Sequence, residues 1–190
     1  MQELVTKYRP WLNGEKIEIL FIFQAGTVWA SLESVYYYCL SDDRFAVRLV
    51  FMTETTVETS HMVGAKQFLE EKGLEYQRYE DVDFSIYHPH VVFIQFPYDA
   101  AFHTPETLSI QFKRRGTRVV YVPYGIEISD TDIAIKDHFH SFVVENAWRI
   151  YTSSDGLKEE YSKYCHNRNA VRVTGSPKFD AICEKNSLPL

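Results

Sequence analysis

The feature that most constrains the fold is a regular alternation of short apolar runs with amphipathic segments of helical spacing. The apolar runs are rich in β-branched and aromatic residues, and they span residues 16–23, 46–52, 76–79, 91–96, 118–122, 148–151 and 171–174. Strands that alternate with helices predict βαβ units, right-handed crossovers and a mainly parallel sheet. We therefore expect a Rossmann-like, doubly wound α/β domain over residues 16–174. An N-terminal extension, residues 1–15, would precede it, and a linker, residues 175–190, would follow.

Capping residues and apolar spacing predict where the helices lie. Thr104, Pro105 and Glu106 supply an N-cap, a proline at the first helical position and an acid in the first turn. Gly73 and Gly116 stand where helices commonly end. Four sets of residues are predicted to form buried helical faces: Val28, Leu32, Val35, Tyr36 and Cys39; Met62, Ala65 and Leu69; Ile135, Phe139, Phe142 and Val143; and Leu157, Tyr161, Tyr164 and Cys165.

The charge balance narrows the classes of partner. The 190 residues include 20 basic and 26 acidic ones, a net charge of −6, whereas nucleic acids and anionic membranes are bound by clustered lysine and arginine. We expect no nucleic-acid partner. Apolar runs fall short of the roughly 20 residues of a transmembrane helix, and the first ten residues lack a signal-peptide core. Three cysteines without a C-x-x-C pattern indicate reduced thiols, no zinc site and a cytoplasmic protein.

The first strand is followed by a loop that holds Gln24, Gly26 and Thr27. Ligands of open α/β sheets bind at the carboxyl ends of strands, so Gly26 would let the backbone approach a ligand, with Gln24 and Thr27 as polar contacts. The alternative is a turn that needs glycine for steric reasons. Neither G-x-G-x-x-G nor G-x-x-x-x-G-K-[ST] occurs in the chain, which predicts no dinucleotide cofactor and no P-loop chemistry.

Two further loops carry candidate site residues. In the loop 97–103, Asp99 or His103 could act as a general base, and Tyr98 could contact substrate; alternatively, Asp99 caps a turn and His103 is an exposed polar residue. After the fifth strand, proline and glycine on either side of Tyr124 would direct Tyr124 and Glu127 into the crevice. A plain strand-ending turn has the same sequence.

Two histidine pairs are separated by one residue each, His88 with His90 and His138 with His140. Residues at this spacing share a face only in an extended chain. The first pair precedes a strand, and the second lies in a predicted helix, where its members diverge. We predict no metal site from either pair.

Several stretches resemble bacterial CDP-glycerol glycerophosphotransferase-like proteins, the teichoic-acid and surface-polysaccharide polymerase family. They are FIFQ at 21–24 with VWASLESV at 28–35, FIQFPYD at 93–99, VYVPYG at 120–125 and VTGSPKFD at 173–180. The part TGSPKFD is also characteristic of the wider two-Rossmann-domain (GT-B) transferases. The resemblance implies that this chain is the N-terminal, acceptor-side half of such an enzyme, and that the donor site belongs to a C-terminal domain outside this sequence.

The resemblance also raises the question of the catalytic base. The teichoic-acid members carry Trp-His-Gly, with the histidine as the proposed base, where this chain has Pro123-Tyr124-Gly125. A tyrosine side chain, with an ordinary pKa of about 10, is a poor base at neutral pH. The resemblance therefore leaves this role to His103 or Asp99, or the chemistry differs from glycerophosphate transfer.

The predicted function is that of a glycosyl- or glycerophosphotransferase of teichoic-acid or surface-polysaccharide synthesis, inactive without its second domain. Its partners would be a nucleotide-activated donor, CDP-glycerol or a nucleotide-sugar, and a glycan or lipid-linked acceptor. A lipid-linked acceptor predicts peripheral association with the inner face of the cell membrane. Two alternatives stay open: a non-catalytic Rossmann-like module that binds a nucleotide or sugar phosphate, and half of a nucleotide-sugar epimerase of the same architecture.

Overall fold

The computed structural model describes residues 14–52, 64–99, 104–125, 131–180 and 183. These residues form a seven-stranded, all-parallel sheet with the order β3-β2-β1-β4-β5-β6-β7. The strands are β1 (Ile17–Phe23), β2 (Phe45–Phe51), β3 (Gln77–Arg78), β4 (Val91–Ile94), β5 (Arg118–Tyr121), β6 (Arg149–Thr152) and β7 (Val171–Val173). The predicted Rossmann-like class is confirmed, and every predicted strand is present within two residues of its expected ends.

The order in which strands are added to the sheet reverses between β1 and β4. β1 pairs with β2 along its whole length, from Ile17 opposite Phe45 onward, and on its other side Ile19 lies opposite Val91 of β4. The first three strands thus extend the sheet one way and the last four the other way. In open α/β sheets this switch point is where the loops at the carboxyl ends separate and leave a crevice.

Helices cover both faces of the sheet, as right-handed crossovers require. One face packs against a 3-10 turn (Gly26–Ser31), α1 (Glu33–Leu40) and α2 (Ala65–Glu71). The other packs against α3 (Ser109–Arg114), α4 (Phe142–Asn146) and α5 (Asp155–Tyr164). Consecutive residues of β1 therefore belong to different cores, and those at positions 19–23 are all at most 4% exposed. This explains the continuous apolar run that the sequence shows there.

The predicted helix ends are largely confirmed. Thr104 and Thr107 form a capping box around a 3-10 turn, Pro105–Thr107, that leads into α3. Gly73 and Gly116 follow helices with φ of +63° and +86°, values that glycine adopts without strain. Met62, which was predicted on the buried face of α2, lies outside the described residues.

The prediction of one helix carrying Ile135, Phe139, Phe142 and Val143 is wrong. A single helical turn, Asp132–Ala134, continues as a π-helical turn, Ile135–Phe139, in which the His140 amide donates to the Ile135 carbonyl at 2.9 Å. Ser141 then adopts an extended conformation and its Oγ accepts from the Val144 amide, so that α4 starts anew. The restart leaves Phe142 65% exposed while its neighbour Val143 is buried.

Candidate functional site

A small apolar cluster lies beyond the carboxyl ends of β1 and β4, at the switch point of the sheet. Ala25 and Val28, just beyond β1, pack with Phe96, just beyond β4, and the rings of Tyr98 and Tyr124 lie against this small cluster. The rings of Phe96 and Tyr124 have centroids 4.9 Å apart at an interplanar angle of 33°. Two aromatic side chains that the sequence proposed as substrate contacts, Tyr98 and Tyr124, therefore meet at the place where this fold binds ligands.

A histidine completes this group. The Tyr98 hydroxyl lies 3.0 Å from the Tyr124 hydroxyl and 3.0 Å from Nε2 of His138. The Tyr98 and His138 rings are nearly perpendicular at 88°, with centroids 5.7 Å apart. We call the set Phe96, Tyr98, Tyr124 and His138 the aromatic–imidazole cluster. It offers two hydroxyls and an imidazole, which can donate or accept hydrogen bonds, beside apolar ring faces.

Sequence reasoning did not select His138, because it assigned the residue to a regular helix. In the π-helical turn, hydrogen bonds join residues five apart instead of four, which changes which side chains lie on the same face of the helix. His138 contacts Tyr98, whereas His140 stacks on Tyr164 at the surface and lies 3.4 Å from a Glu145 carboxylate oxygen. The pair thus diverges as predicted. The only feature of the sequence that relates His138 to the site is its position in the segment that follows the Tyr124 loop.

Asp99 is buried and serves as a hydrogen-bond acceptor for α3. Both of its carboxylate oxygens accept from the Ser109 amide, at 2.9 and 3.1 Å, and one also accepts from the Ser109 hydroxyl. That hydroxyl in turn accepts from the Asn146 side-chain amide at 3.0 Å, which links α3 to α4. The capping alternative that the sequence left open therefore describes these contacts, while the role of Asp99 as a general base stays a prediction.

The loop after β1 is shaped by packing. A Cβ atom on Gly26 would lie 2.5 Å from Cγ of Phe68 and 2.9 Å from its Cβ, so the Phe68 side chain of α2 would have to shift to admit any other residue here. Gln24 is fully buried and Thr27 is exposed. The steric alternative accounts for Gly26, and ligand contacts of Gln24, Gly26 and Thr27 stay predictions.

Two other predicted site residues, His103 and Glu127, lie outside the described residues. Among the residues that are described, no group of three His, Cys, Asp or Glu side chains is arranged to hold a metal ion. His90, of the first histidine pair, accepts from the Glu18 amide through Nδ1 at 3.0 Å, which is a structural contact at the amino end of the sheet.

A cavity of about 310 Å³ lies beside α1 and the segment 174–180. It is bordered by Ser34 and Asp180, whose Oγ and Oδ2 atoms are 2.5 Å apart in a hydrogen bond. The segment is the one whose sequence, TGSPKFD, resembles GT-B transferases. The hydrogen bond fixes it against the amino-terminal turn of α1, near the carboxyl ends of β5 and β6.

The fold is shared with sugar-nucleotide epimerases. No protein-family model and no curated protein matches the chain. Solved structures do: a UDP-N-acetylglucosamine 2-epimerase (TM-score 0.64, 11% identity), the Neisseria meningitidis UDP-GlcNAc 2-epimerase bound to UDP-GlcNAc (0.62, 10%) and S. aureus MnaA with UDP (0.61, 11%). They match 89%, 89% and 91% of this chain and 48%, 49% and 49% of their own chains.

The chain thus spans about half the length of these structures and has the fold of one Rossmann-like half of a GT-B-type protein. At such low identity the likeness concerns the fold. Within the ranges that the structure describes, no helix is both long and apolar enough to cross a membrane.

Proposed function

We propose that this chain is one half of a GT-B-type enzyme that processes a nucleotide-activated donor, and that the aromatic–imidazole cluster holds the hydroxyl-bearing substrate. The observation that carries the proposal is the position of that cluster at the β1/β4 switch point, the ligand crevice of doubly wound sheets. The fold likeness to UDP-sugar epimerases supports a nucleotide-sugar as the donor.

The chemistry of the cluster suits a polyhydroxylated substrate. Ring faces carry negative π density and attract the slightly positive C–H edges of a sugar or glycerol unit, and a phenol oxygen can pair with its hydroxyls. None of the four residues that define the cluster, Phe96, Tyr98, Tyr124 and His138, is a lysine or an arginine. We therefore assign it the uncharged hydroxyl part of the substrate rather than the donor's phosphates.

The reaction we favour is transfer of a glycosyl or glycerophosphate group to a hydroxyl, as in teichoic-acid or surface-polysaccharide synthesis. The similarity to CDP-glycerol glycerophosphotransferase-like proteins supports this choice, and His103, Asp99 and Glu127 stay candidates for the roles that the sequence predicted. The donor would bind mainly to a second Rossmann-like half. A lipid-linked acceptor would bring the enzyme to the inner face of the membrane.

A second candidate is half of a nucleotide-sugar epimerase. It is favoured by the solved structures that share this fold, whose names all state UDP-GlcNAc 2-epimerisation or a UDP complex. An epimerase needs no acceptor, which separates the two reactions in an assay. A non-catalytic binding module would give ligand binding without any turnover.

The first measurement is the mass of the intact gene product from its native source, compared with the 22.3 kDa of this chain. A mass about twice as large supports a second half in the same polypeptide. A mass equal to 22.3 kDa removes the single-chain two-domain enzyme and favours the binding module.

The activity test uses that intact product with UDP-GlcNAc and with CDP-glycerol, each with and without cell-envelope glycan from the same source. A transferase releases nucleotide only when the glycan is present. An epimerase inverts the sugar of UDP-GlcNAc without glycan, which proton NMR detects at C2. If neither donor reacts under any of the four conditions, the proposed enzyme function is refuted, and calorimetric titration with the same two donors tests the binding module.

A further inference from the structure

We propose that Tyr124, Tyr98 and His138 form a proton relay that removes the proton of the attacking hydroxyl and delivers it to Nε2 of His138. This inference rests on the proposed function, because it needs a hydroxyl nucleophile in the crevice. It offers a third source of the base beside His103 and Asp99, which the sequence predicted; the carboxylate of Asp99 accepts hydrogen bonds from Ser109.

The geometry defines the order of the relay. The Tyr98 oxygen lies 3.0 Å from both the Tyr124 oxygen and His138 Nε2, which is hydrogen-bond distance on each side. A phenol has a single proton. If Tyr98 donates it to a neutral His138, the Tyr98 oxygen must accept from Tyr124. The lone pairs of the Tyr124 oxygen then form the outer end of the chain, where a substrate hydroxyl can donate.

Packing holds the three groups in line. Tyr124 is stacked at a tilt on buried Phe96, with centroids 4.9 Å apart, and its ring centroid lies 6.2 Å from that of His138. The rings of His138 and Tyr98 meet edge to face. Phe139, the neighbour of His138, is buried in the core between the sheet and the helices α3, α4 and α5. A relay whose members have fixed rings loses little free energy in being aligned for each turnover.

The step balances as a concerted proton shift. The substrate O–H bond breaks as its proton moves to Tyr124; the Tyr124 proton moves to Tyr98, and the Tyr98 proton moves to Nε2, which gives an imidazolium. The electron pair left on the substrate oxygen forms the new bond to the donor's phosphorus or anomeric carbon. The bond from that atom to the nucleotide oxygen breaks, and the nucleotide leaves with the electron pair. An imidazole nitrogen suits the final position because it can accept a proton and hold it as N–H.

The test compares three variants of the intact gene product: His138→Ala, Tyr98→Phe and the matched control His140→Ala, which lies two residues away and at the surface. Loss of a positioned base costs about 10² to 10⁴ in rate, so kcat should fall by that factor in the first two variants with little change in KM. Free imidazole should restore turnover to His138→Ala and not to Tyr98→Phe. His140→Ala should keep wild-type kcat.

An independent readout needs no turnover. In ¹⁵N NMR of the histidine rings, Nε2 of His138 should report an accepted hydrogen bond in the wild type and lose it in Tyr98→Phe, a variant that keeps the aromatic ring. An unchanged Nε2 signal would overturn the relay even if His138→Ala proved too unstable to assay.

The possible results separate this inference from the proposed function. If the wild type uses either UDP-GlcNAc or CDP-glycerol and His138→Ala is equally active, the relay is overturned and the function survives. If imidazole fails to rescue His138→Ala while Tyr98→Phe is fully active, His138 has only a structural part and the relay is overturned. If the wild type reacts with neither donor, both proposals fail before any variant is examined.

Discussion

Replacing Asp99 by alanine tests whether this carboxylate stabilises the fold. The side chain is 5% exposed and its two oxygens accept from the amide and hydroxyl of Ser109, at the start of α3. Its removal leaves the buried Ser109 amide without this acceptor, which costs about 1–3 kcal/mol, a range that also covers the typical cost of losing a helix cap. We expect Asp99→Ala to lower the free energy of unfolding by about 2–3 kcal/mol.

The assay is urea denaturation followed by circular dichroism. With a slope of about 2 kcal/mol per molar, typical for a small domain, the midpoint should fall by about 1–1.5 M. Thr27→Ala, at an exposed position beside the same crevice, is the control and should change stability by no more than about 0.5 kcal/mol. A double-mutant cycle with Ser109→Ala should give a coupling of more than about 0.5 kcal/mol, as for residues in direct contact.

The outcome also bears on catalysis. If Asp99→Ala unfolds at the wild-type midpoint, the capping argument is refuted. Loss of turnover in such a fully stable variant would instead support Asp99 as the general base. Destabilisation without loss of turnover at low temperature would assign Asp99 a purely structural part and leave His103 and the relay as sources of the base.

Three further predictions concern packing and titration. Gly26→Ala should destabilise the protein by about 1–3 kcal/mol through overpacking, and adding Phe68→Ala should make the Gly26→Ala change nearly neutral in thermal unfolding, since that ring is what the new methyl group meets. Burial, and then the nearby Asp42 carboxylate, raises the pKa of Cys39 to about 11; intact-mass analysis at pH 8 should therefore find exposed Cys183 alkylated by iodoacetamide well before Cys39. The folded state keeps the Cys39 thiol protonated to a higher pH than the unfolded state does, and this contribution to stability is complete below about pH 9. The free energy of unfolding should therefore fall between pH 9 and 11, and it should fall less in Cys39→Ala.

The sequence predicted the elements that depend on local pattern. Strands buried on both faces appear as continuous apolar runs, and Gly73 and Gly116 end helices with positive φ because other residues would be strained there. Tyr98 and Tyr124 were each predicted to follow a strand, and in the parallel sheet, whose carboxyl strand ends share an edge, their hydroxyls lie 3.0 Å apart.

What the sequence missed depends on contacts between distant segments or on an unusual helix. The pairing of Asp99 with Ser109 is invisible until α3 is placed against its loop. His138 was assigned by a helical period of 3.6 residues, whereas five hydrogen-bonded residues form a π-helical turn and Ser141 restarts the helix. A serine between two apolar stretches was the one local sign of that interruption.

The central position of β1 has a consequence for synthesis of the protein. β1 can pair with β2 once Phe45–Phe51 has left the ribosome, but its other edge stays open until Val91–Ile94 follows. During that interval a nascent chain presents an apolar strand with unpaired amides and carbonyls, a known template for association between chains. A ribosome stalled when Phe51 has left it but Val91 has not should thus hold a chain that binds chaperones strongly, and one stalled after β5 has left it should release them.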